Sequence, residues 1–164
     1  MDKVTQDRIK LLHPKVRDEV SKIVNEANNL LTKHSQIRIV QGLRTIEEQN
    51  DLYAQGRTKQ GKKVTNAKGG SSFHNYGLAV DFCLLIDDKE ISWNMAKDYD
   101  EDGKADWTEV VEVFKKYGWE WGGNWSSIKD YPHFQKTFGY TWQKLLDKYN
   151  KSDFISGTKY VNIN

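Results

Sequence analysis

The sequence predicts one domain of mixed α-helix and β-strand over residues 1–164. Apolar side chains recur every three or four residues between positions 16 and 31, which is the period of an amphipathic helix. Residues 78–86 instead alternate between two faces, as a half-buried strand does. No repeat or linker divides the 164 residues, and this length is sufficient for one hydrophobic core.

The other elements follow from local signals. Thr45 and Glu48 have the spacing of a capping box, which predicts a helix start at Thr45. Helices are predicted at 45–56, 107–117 and 142–149. Strands are predicted at 37–40, from 133 onward and at 160–163. The segment 57–72 has no periodicity and carries five basic and no acidic residues. We interpret it as a surface loop, solvated or resting on an anionic polymer.

Composition excludes several classes of function. The formal net charge is +2, so the charge balance demands no nucleic-acid partner. No run of about 18 apolar residues is present, and the first residues lack the apolar core of a signal peptide. The single cysteine, Cys83, cannot form an internal disulfide. We therefore expect a monomer that neither inserts into a membrane nor leaves the cell by the signal-peptide route.

Two histidines and an aspartate form a candidate metal site. His74 and Asp81 are separated by a segment containing Gly77, and His133 follows much later. A catalytic zinc takes three such ligands and keeps a fourth position for water. His74 and Asp81 would point to opposite faces of one straight strand, so the hypothesis requires a turn at Gly77. The spacing alone is also compatible with ordinary packed or surface histidines. We interpret His13 and His34 in that way.

The residues around this site resemble a known family. The pattern Ser72-x-His74-x-x-Gly77-x-Ala79-x-Asp81, followed by Asp130-x-x-His133, is similar to the signature of the zinc D,D-/L,D-peptidases of bacterial cell walls. Within that family the sequence most resembles the L-alanyl-D-glutamate endopeptidases found as phage endolysins and bacterial wall hydrolases. Further similar blocks are Gly42-Leu43-Arg44-Thr45, Gln49 with Leu52-Tyr53, and Trp119-x-Trp121-Gly122-Gly123-x-Trp125.

The resemblance implies zinc held by His74, Asp81 and His133. It also implies an α+β fold of the Hedgehog/D,D-peptidase type, in which a small antiparallel sheet carries the site and helices pack around it. The implied substrate is the peptidoglycan stem peptide, cut between L-Ala and D-Glu. Two alternatives are a D,D-carboxypeptidase that removes terminal D-Ala and a non-catalytic zinc-fold binding domain. Two origins stay open: a phage endolysin, held in the host cytoplasm until release to the wall, and a secreted or periplasmic bacterial enzyme whose signal is absent from this chain.

The resemblance also implies catalytic roles. Asp130 occupies the family's base position, where it would take a proton from the attacking water and return it to the departing amine. Glu120 is the alternative base. Arg44 precedes a predicted helix N-terminus, and would stabilise the oxyanion or hold a substrate carboxylate; a surface salt bridge is the alternative. Three further residues are expected to contact the substrate: Ser72, Trp121 and Trp125.

Residues 98–109 match the twelve-position calcium loop D-x-D-x-D-G-x5-E. The expected oxygen ligands are Asp98, Asp100, Asp102, the Lys104 carbonyl, Asp106 directly or through water, and Glu109 with both oxygens. The carboxylates of this loop repel one another unless a cation binds; a solvated acidic loop is the alternative. Because the following helix leads to residues 119–125, we expect calcium to order one wall of the zinc cleft.

Overall fold

The computed structural model describes residues 1–164. Its helices are α1 (Lys3–Lys10), α2 (Pro14–Leu30), α3 (Ile46–Ala54), α4 (Asp106–Lys116) and α5 (Trp142–Asn150). Its strands are β1 (Ser35–Gln41), β2 (Ala79–Ile86), β3 (Glu90–Ser92), β4 (Glu120–Trp121) and β5 (His133–Gln135). Short 3-10 turns lie at Phe73–Tyr76 and Gly122–Asn124. No helix has the length and apolar character needed to cross a bilayer.

All five strands form one small antiparallel sheet, as the family resemblance implies. The order is β1-β2-β5-β4, and β3 also pairs with β2. β5 and β3 share one edge of β2 at its two ends, because β5 pairs with Ala79–Asp81 and β3 with Leu84–Ile86. Strand β2 therefore pairs with every other strand except β4, and its first residues lie between β1 and β5.

Helix α4 packs against the apolar side chains of β2 and β5. Val80 and Phe82 of β2 are fully buried, as the alternating pattern predicts. The rings of Phe82 and Trp107 lie 4.3 Å apart, and those of Phe134 and Phe114 stack at 4.1 Å. Asp81 is only partly buried, since the strand period turns it away from this core. The sheet thus carries its polar residues on the face opposite α4.

The prediction of a closing strand at 160–163 is wrong. Val161 and Ile163 are buried, which explains the apolar pattern. The β-pairing of this segment is limited to an isolated bridge between Val161 and Phe154, in the turn after α5. Three short elements, α1, β3 and β4, were not predicted. Helix α1 buries only Thr5 and Ile9, too few apolar positions to produce a helical period.

Candidate metal centre and active site

His74 lies on the 3-10 turn Phe73–Tyr76, immediately before β2. Ser72 caps this turn, and its hydroxyl oxygen accepts a hydrogen bond from the His74 backbone N–H at 3.3 Å. Gly77 ends the turn in the left-handed region, with φ of +69°. A Cβ at Gly77 would lie 2.5 Å from the backbone nitrogen of His13. The structure therefore contains the turn that the metal hypothesis requires, at a residue that only glycine can occupy without strain.

Asp81 meets both histidines. In the pairing of β2 with β5, Asp81 and His133 are direct partners, so their side chains lie on the same face of the sheet. His133 Nδ1 lies 3.1 Å from Asp81 Oδ1, and His74 Nε2 lies 3.3 Å from Asp81 Oδ2. The structure brings these three residues together from a turn and two strands, and their ligand atoms lie within 4.8 Å of one another.

The outer nitrogen of each imidazole is held by a hydrogen bond. His74 Nδ1 donates to the Gly42 carbonyl at 2.8 Å, and His133 Nε2 donates to Gln135 Oε1 at 2.9 Å. In the neutral rings, the lone pairs then lie on His74 Nε2 and His133 Nδ1, both facing the Asp81 carboxylate. Three electron-pair donors that face one another favour a shared cation. Two imidazoles and one carboxylate with such outer partners fit zinc.

The charge on Asp81 is fixed by the two histidines. Burial alone would raise its pKa, but the charges and hydrogen bonds of His74 and His133 hold it well below the usual range of a carboxyl group. Burial would lower the pKa of His133, yet the hydrogen bond and charge of Asp81 raise it on balance. Asp81 is therefore an anion at neutral pH and supplies the negative charge of the site.

Asp130 places a second carboxylate beside the three residues. Its Oδ2 lies 3.9 Å from His133 Nδ1. Burial, followed by repulsion from Asp81, raises the pKa of Asp130, which suits a proton acceptor. Its backbone is fixed by a hydrogen bond from its N–H to the Gly122 carbonyl at 3.1 Å. A Cβ at Gly122 would lie 2.3 Å from the Asp130 carbonyl oxygen, so this close approach requires glycine.

Glu120, the alternative base, lines the same cleft. Its Oε1 accepts hydrogen bonds from the Trp125 indole at 2.8 Å and from the Gln135 amide at 3.5 Å. Gln135 in turn holds His133. The contacts of Glu120 therefore support the second histidine through Gln135.

Arg44 lies between β1 and α3 and is tied to the turn that carries His74. Its backbone N–H donates to the His74 carbonyl at 3.0 Å, and its guanidinium donates to Gln49 Oε1 at 3.0 Å. Burial lowers the pKa of Arg44, while the charges of Asp81, Glu48 and Asp130 oppose that shift. The predicted capping box at the start of α3 is present. Arg44 is thus a fixed cation facing the same cleft as the carboxylates.

The site opens into a cleft of about 850 Å³. Arg44, Asp130, Ser72 and Trp125 all line it together with the three candidate ligands. The Trp125 ring lies 5.1 Å from that of His133. Trp121 lies outside this lining, because its indole packs on Tyr131 and donates to the Tyr131 carbonyl at 2.7 Å. The structure thus brings together all the predicted site residues of the zinc region except Trp121.

Three residues support the site without having been predicted to do so. Gln135 stands two positions after His133 on one strand, a spacing that places both on the same face and was visible in the sequence. The Gly42 carbonyl orients His74, and a backbone group leaves no sequence signal. Asn75 accepts hydrogen bonds from two loop N–H groups and donates to the Arg44 carbonyl at 3.0 Å. It therefore joins the Arg44 segment to the turn that carries His74.

The residues predicted to bind calcium converge at the start of α4. Their carboxylates form two overlapping groups with oxygens within 4.8 Å, namely Asp98, Asp100 and Asp106, and Asp100, Asp102 and Glu109. The loop follows a strand and bends, so it has no entering helix. Both other histidines have ordinary surroundings, as predicted. His13 is buried and bonds to the Val161 carbonyl, and His34 pairs with Asp87 on the surface.

An open centre of two histidines and one aspartate, with a free carboxylate beside it, defines a metal-dependent hydrolase. A family model described as D-alanyl-D-alanine carboxypeptidase matches residues 65–136. The chain is 48% identical over 124 residues to the peptidoglycan L-alanyl-D-glutamate endopeptidase CwlK of Bacillus subtilis (strain 168), covering 76% of this chain and 72% of that protein. The chain therefore belongs to the same family of metallopeptidases as CwlK. This confirms the family predicted from the sequence.

One further relative and one solved structure are also similar to this chain. The L-alanyl-D-glutamate peptidase of Listeria phage A118 is 33% identical over 89 residues, which is 51% of this chain and 29% of that protein. The crystal structure of Serratia marcescens L-Ala D-Glu endopeptidase ChiX superposes with a TM-score of 0.54 at 22% identity. That match covers 84% of this chain and 90% of the other, and it confirms the predicted α+β fold.

Proposed function

We propose that the chain is a zinc-dependent peptidoglycan peptidase that cuts the stem peptide between L-Ala and D-Glu. The observation that carries this proposal is the convergence of His74, Asp81 and His133 at the base of an open cleft. The choice of bond is supported by two relatives named as L-alanyl-D-glutamate peptidases, one of which aligns with 76% of this chain. Because every group in the site comes from one chain, we also propose that the monomer is active.

His74, Asp81 and His133 would hold a zinc ion, which would supply a Lewis acid for the scissile carbonyl and would lower the pKa of an attacking water to about 7. Neighbouring groups of the protein orient these ligands. Gly42 and Gln135 fix both imidazoles with the correct nitrogen facing inward. The ligands therefore need little rearrangement when the metal binds.

Asp130 is the proposed general base. It takes the proton of the attacking water and returns it to the nitrogen of the departing D-Glu residue as the peptide bond breaks. Its raised pKa favours this exchange, and its position 3.9 Å from His133 Nδ1 places it beside the ligands. Since Asp130 is not needed as a ligand in this scheme, it stays free to carry the proton.

Arg44 supplies the positive charge of the cleft. The D-Glu residue carries a carboxylate, and hydrolysis also develops negative charge on the scissile carbonyl oxygen. Arg44 is proposed to hold one of these two groups. Ser72 and Trp125 are proposed to contact the peptide, since both line the cleft. The indole of Trp125 is held by Glu120 beside the His133 ring, where it forms a rigid wall.

The alternative function is removal of terminal D-Ala, which the description of the matching family model supports. Mass spectrometry of purified sacculi after digestion separates the two activities. We expect soluble peptides that begin with D-Glu, together with glycan strands that retain L-Ala. Release of D-Ala alone would establish the carboxypeptidase instead, and intact stem peptides would leave only a binding function. Asp130→Asn, digested in parallel, controls for contaminating hydrolases.

A further inference from the structure

The acidic loop before α4 is not used by the proposed hydrolysis. Asp100 and Asp106 are almost completely buried there, with 1% and 0% of their surface exposed, and Glu109 exposes 3%. Solvated acidic loops keep their carboxylates in water, so this burial argues against that alternative. The loop instead draws three carboxylates into the protein, beside the half-buried Asp98 and the exposed Asp102.

Two of the buried carboxylates each have an oxygen without a hydrogen-bond partner. These atoms are Asp106 Oδ2 and Glu109 Oε2. The other oxygen of Asp106, Oδ1, accepts a hydrogen bond from the Tyr99 N–H at 2.9 Å. Only Oδ2 of this carboxylate therefore lacks a donor. A buried carboxylate oxygen without a donor is strongly unfavourable unless a cation is present. Both residues place an oxygen within 4.8 Å of Asp100, at the centre of the cluster.

The negative charges of the clustered carboxylates also repel one another. Burial, followed by repulsion from Asp102, Asp100 and Asp106, raises the pKa of Glu109 to about 7. Lys33 pairs at 3.1 Å with the exposed Glu101, and the charge of Lys104 only partly offsets the rise in the pKa of Glu109. The unpartnered oxygens of Asp106 and Glu109 therefore have no cationic donor within hydrogen-bond distance.

We propose that residues 98–109 bind one Ca²⁺ ion. All the candidate donors are oxygens, which suit a hard cation, and no histidine or cysteine is present to favour zinc. Gly103 has φ of +96° and makes the sharp turn at the sixth position of the loop. The number of available carboxylates exceeds what Mg²⁺ uses, since Mg²⁺ prefers strict octahedral geometry and retains several waters.

The ion would fix α4 to the rest of the domain. Asp100 Oδ2 accepts hydrogen bonds from the backbone and hydroxyl of Thr32 at 2.8 and 3.3 Å, which joins the loop to the end of α2. Helix α4 begins inside the loop, and its second residue, Trp107, packs on Phe82. Phe82 directly follows Asp81 in β2. Calcium therefore stabilises the helix that lies behind the metal-binding face of the sheet.

Calorimetry on the full zinc-loaded chain in calcium-depleted buffer tests the proposal, with CaCl2 alone as the probe. We expect saturable binding of one ion per chain. At a hundredfold excess over Kd, calcium should raise Tm by about 5–10 °C, and MgCl2 at the same concentration should raise it less. Absence of saturable binding to the folded wild-type chain would overturn the site.

Two variants make the test specific. Glu109→Gln should weaken calcium binding by at least about tenfold, because it removes a charge and the bidentate ligand. The control Glu112→Gln removes the same charge from an exposed position on α4, and should bind calcium like the wild type. Without calcium, Glu109→Gln should be at least as stable as the wild type, since it relieves repulsion. Unchanged calcium affinity in Glu109→Gln would contradict the assignment. None of these results depends on peptidase activity.

Discussion

Asp81 and His133 are direct cross-strand partners, and their carboxylate and imidazole meet at 3.1 Å. The two residues are 52 positions apart in the chain, so only the register of β2 against β5 brings them together. A shift of one residue in this register would turn one of them to the opposite face. The metal centre is therefore built mainly on paired strands, and we expect its geometry to change little when a metal binds.

Gly77→Ala should destabilise the protein more than a comparable glycine substitution elsewhere. The left-handed backbone costs an alanine about 1–2 kcal/mol, and the new Cβ would also lie 2.5 Å from the His13 backbone nitrogen. Denaturant unfolding gives the free energy of unfolding. Gly118→Ala is the matched control, because φ there is +79° and no atom lies within 4 Å of its Cβ. Equal losses in both variants would show that the contact with His13 is unimportant.

Asp130→Asn should lower kcat by at least about 100-fold, because it removes the proton acceptor. Zinc content should stay near that of the wild type, since Asp130 is not a proposed ligand. Steady-state kinetics on sacculi, with elemental analysis of the same preparations, measure both effects. Glu120→Gln is the comparison, and we expect a smaller loss there. The opposite order of the two losses would identify Glu120 as the base.

Gly122→Ala should impair catalysis without removing zinc. Its Cβ would lie 2.3 Å from the Asp130 carbonyl oxygen, so the segment carrying the base must shift. A displacement of about 1 Å can reduce the rate by about 100-fold. We therefore expect kcat to fall by about 10- to 100-fold. Gly139→Ala meets no atom within 4 Å but carries the backbone strain of a φ of +78°, so it controls for general destabilisation without displacement of Asp130. Wild-type kcat in Gly122→Ala would contradict the proposed placement of Asp130.

Arg44→Ala should lower kcat/KM by about tenfold or more, since a hydrogen bond to a charged group contributes about 1.5–3 kcal/mol. Two synthetic substrates, with the D-Glu carboxylate free or amidated, separate the proposed roles. A loss confined to the free carboxylate assigns Arg44 to substrate binding, whereas equal losses assign it to the oxyanion. Unchanged kcat/KM on both substrates would contradict either role.

The sequence predicted the parts of the fold that local periodicity encodes. The apolar spacing of α2 and the alternation of β2 are visible along the chain, and the need to turn between His74 and Asp81 pointed to Gly77. The pairing of Asp81 with His133 is different, because strand register depends on distant segments; the family resemblance supplied it. The short helix α1 has almost no apolar period, and the Gly42 carbonyl that orients His74 leaves no side-chain signal.

The central claim is that His74, Asp81 and His133 hold the zinc on which hydrolysis depends. The most direct test removes metal with a chelator, dialyses the protein into calcium-containing buffer, and then follows bound zinc and hydrolysis of sacculi as ZnCl2 is added. We predict that activity returns in proportion to bound zinc and saturates at one ion per chain, and that His133→Ala regains neither. Full zinc binding by His133→Ala, or full activity of the metal-free wild type, would contradict the account.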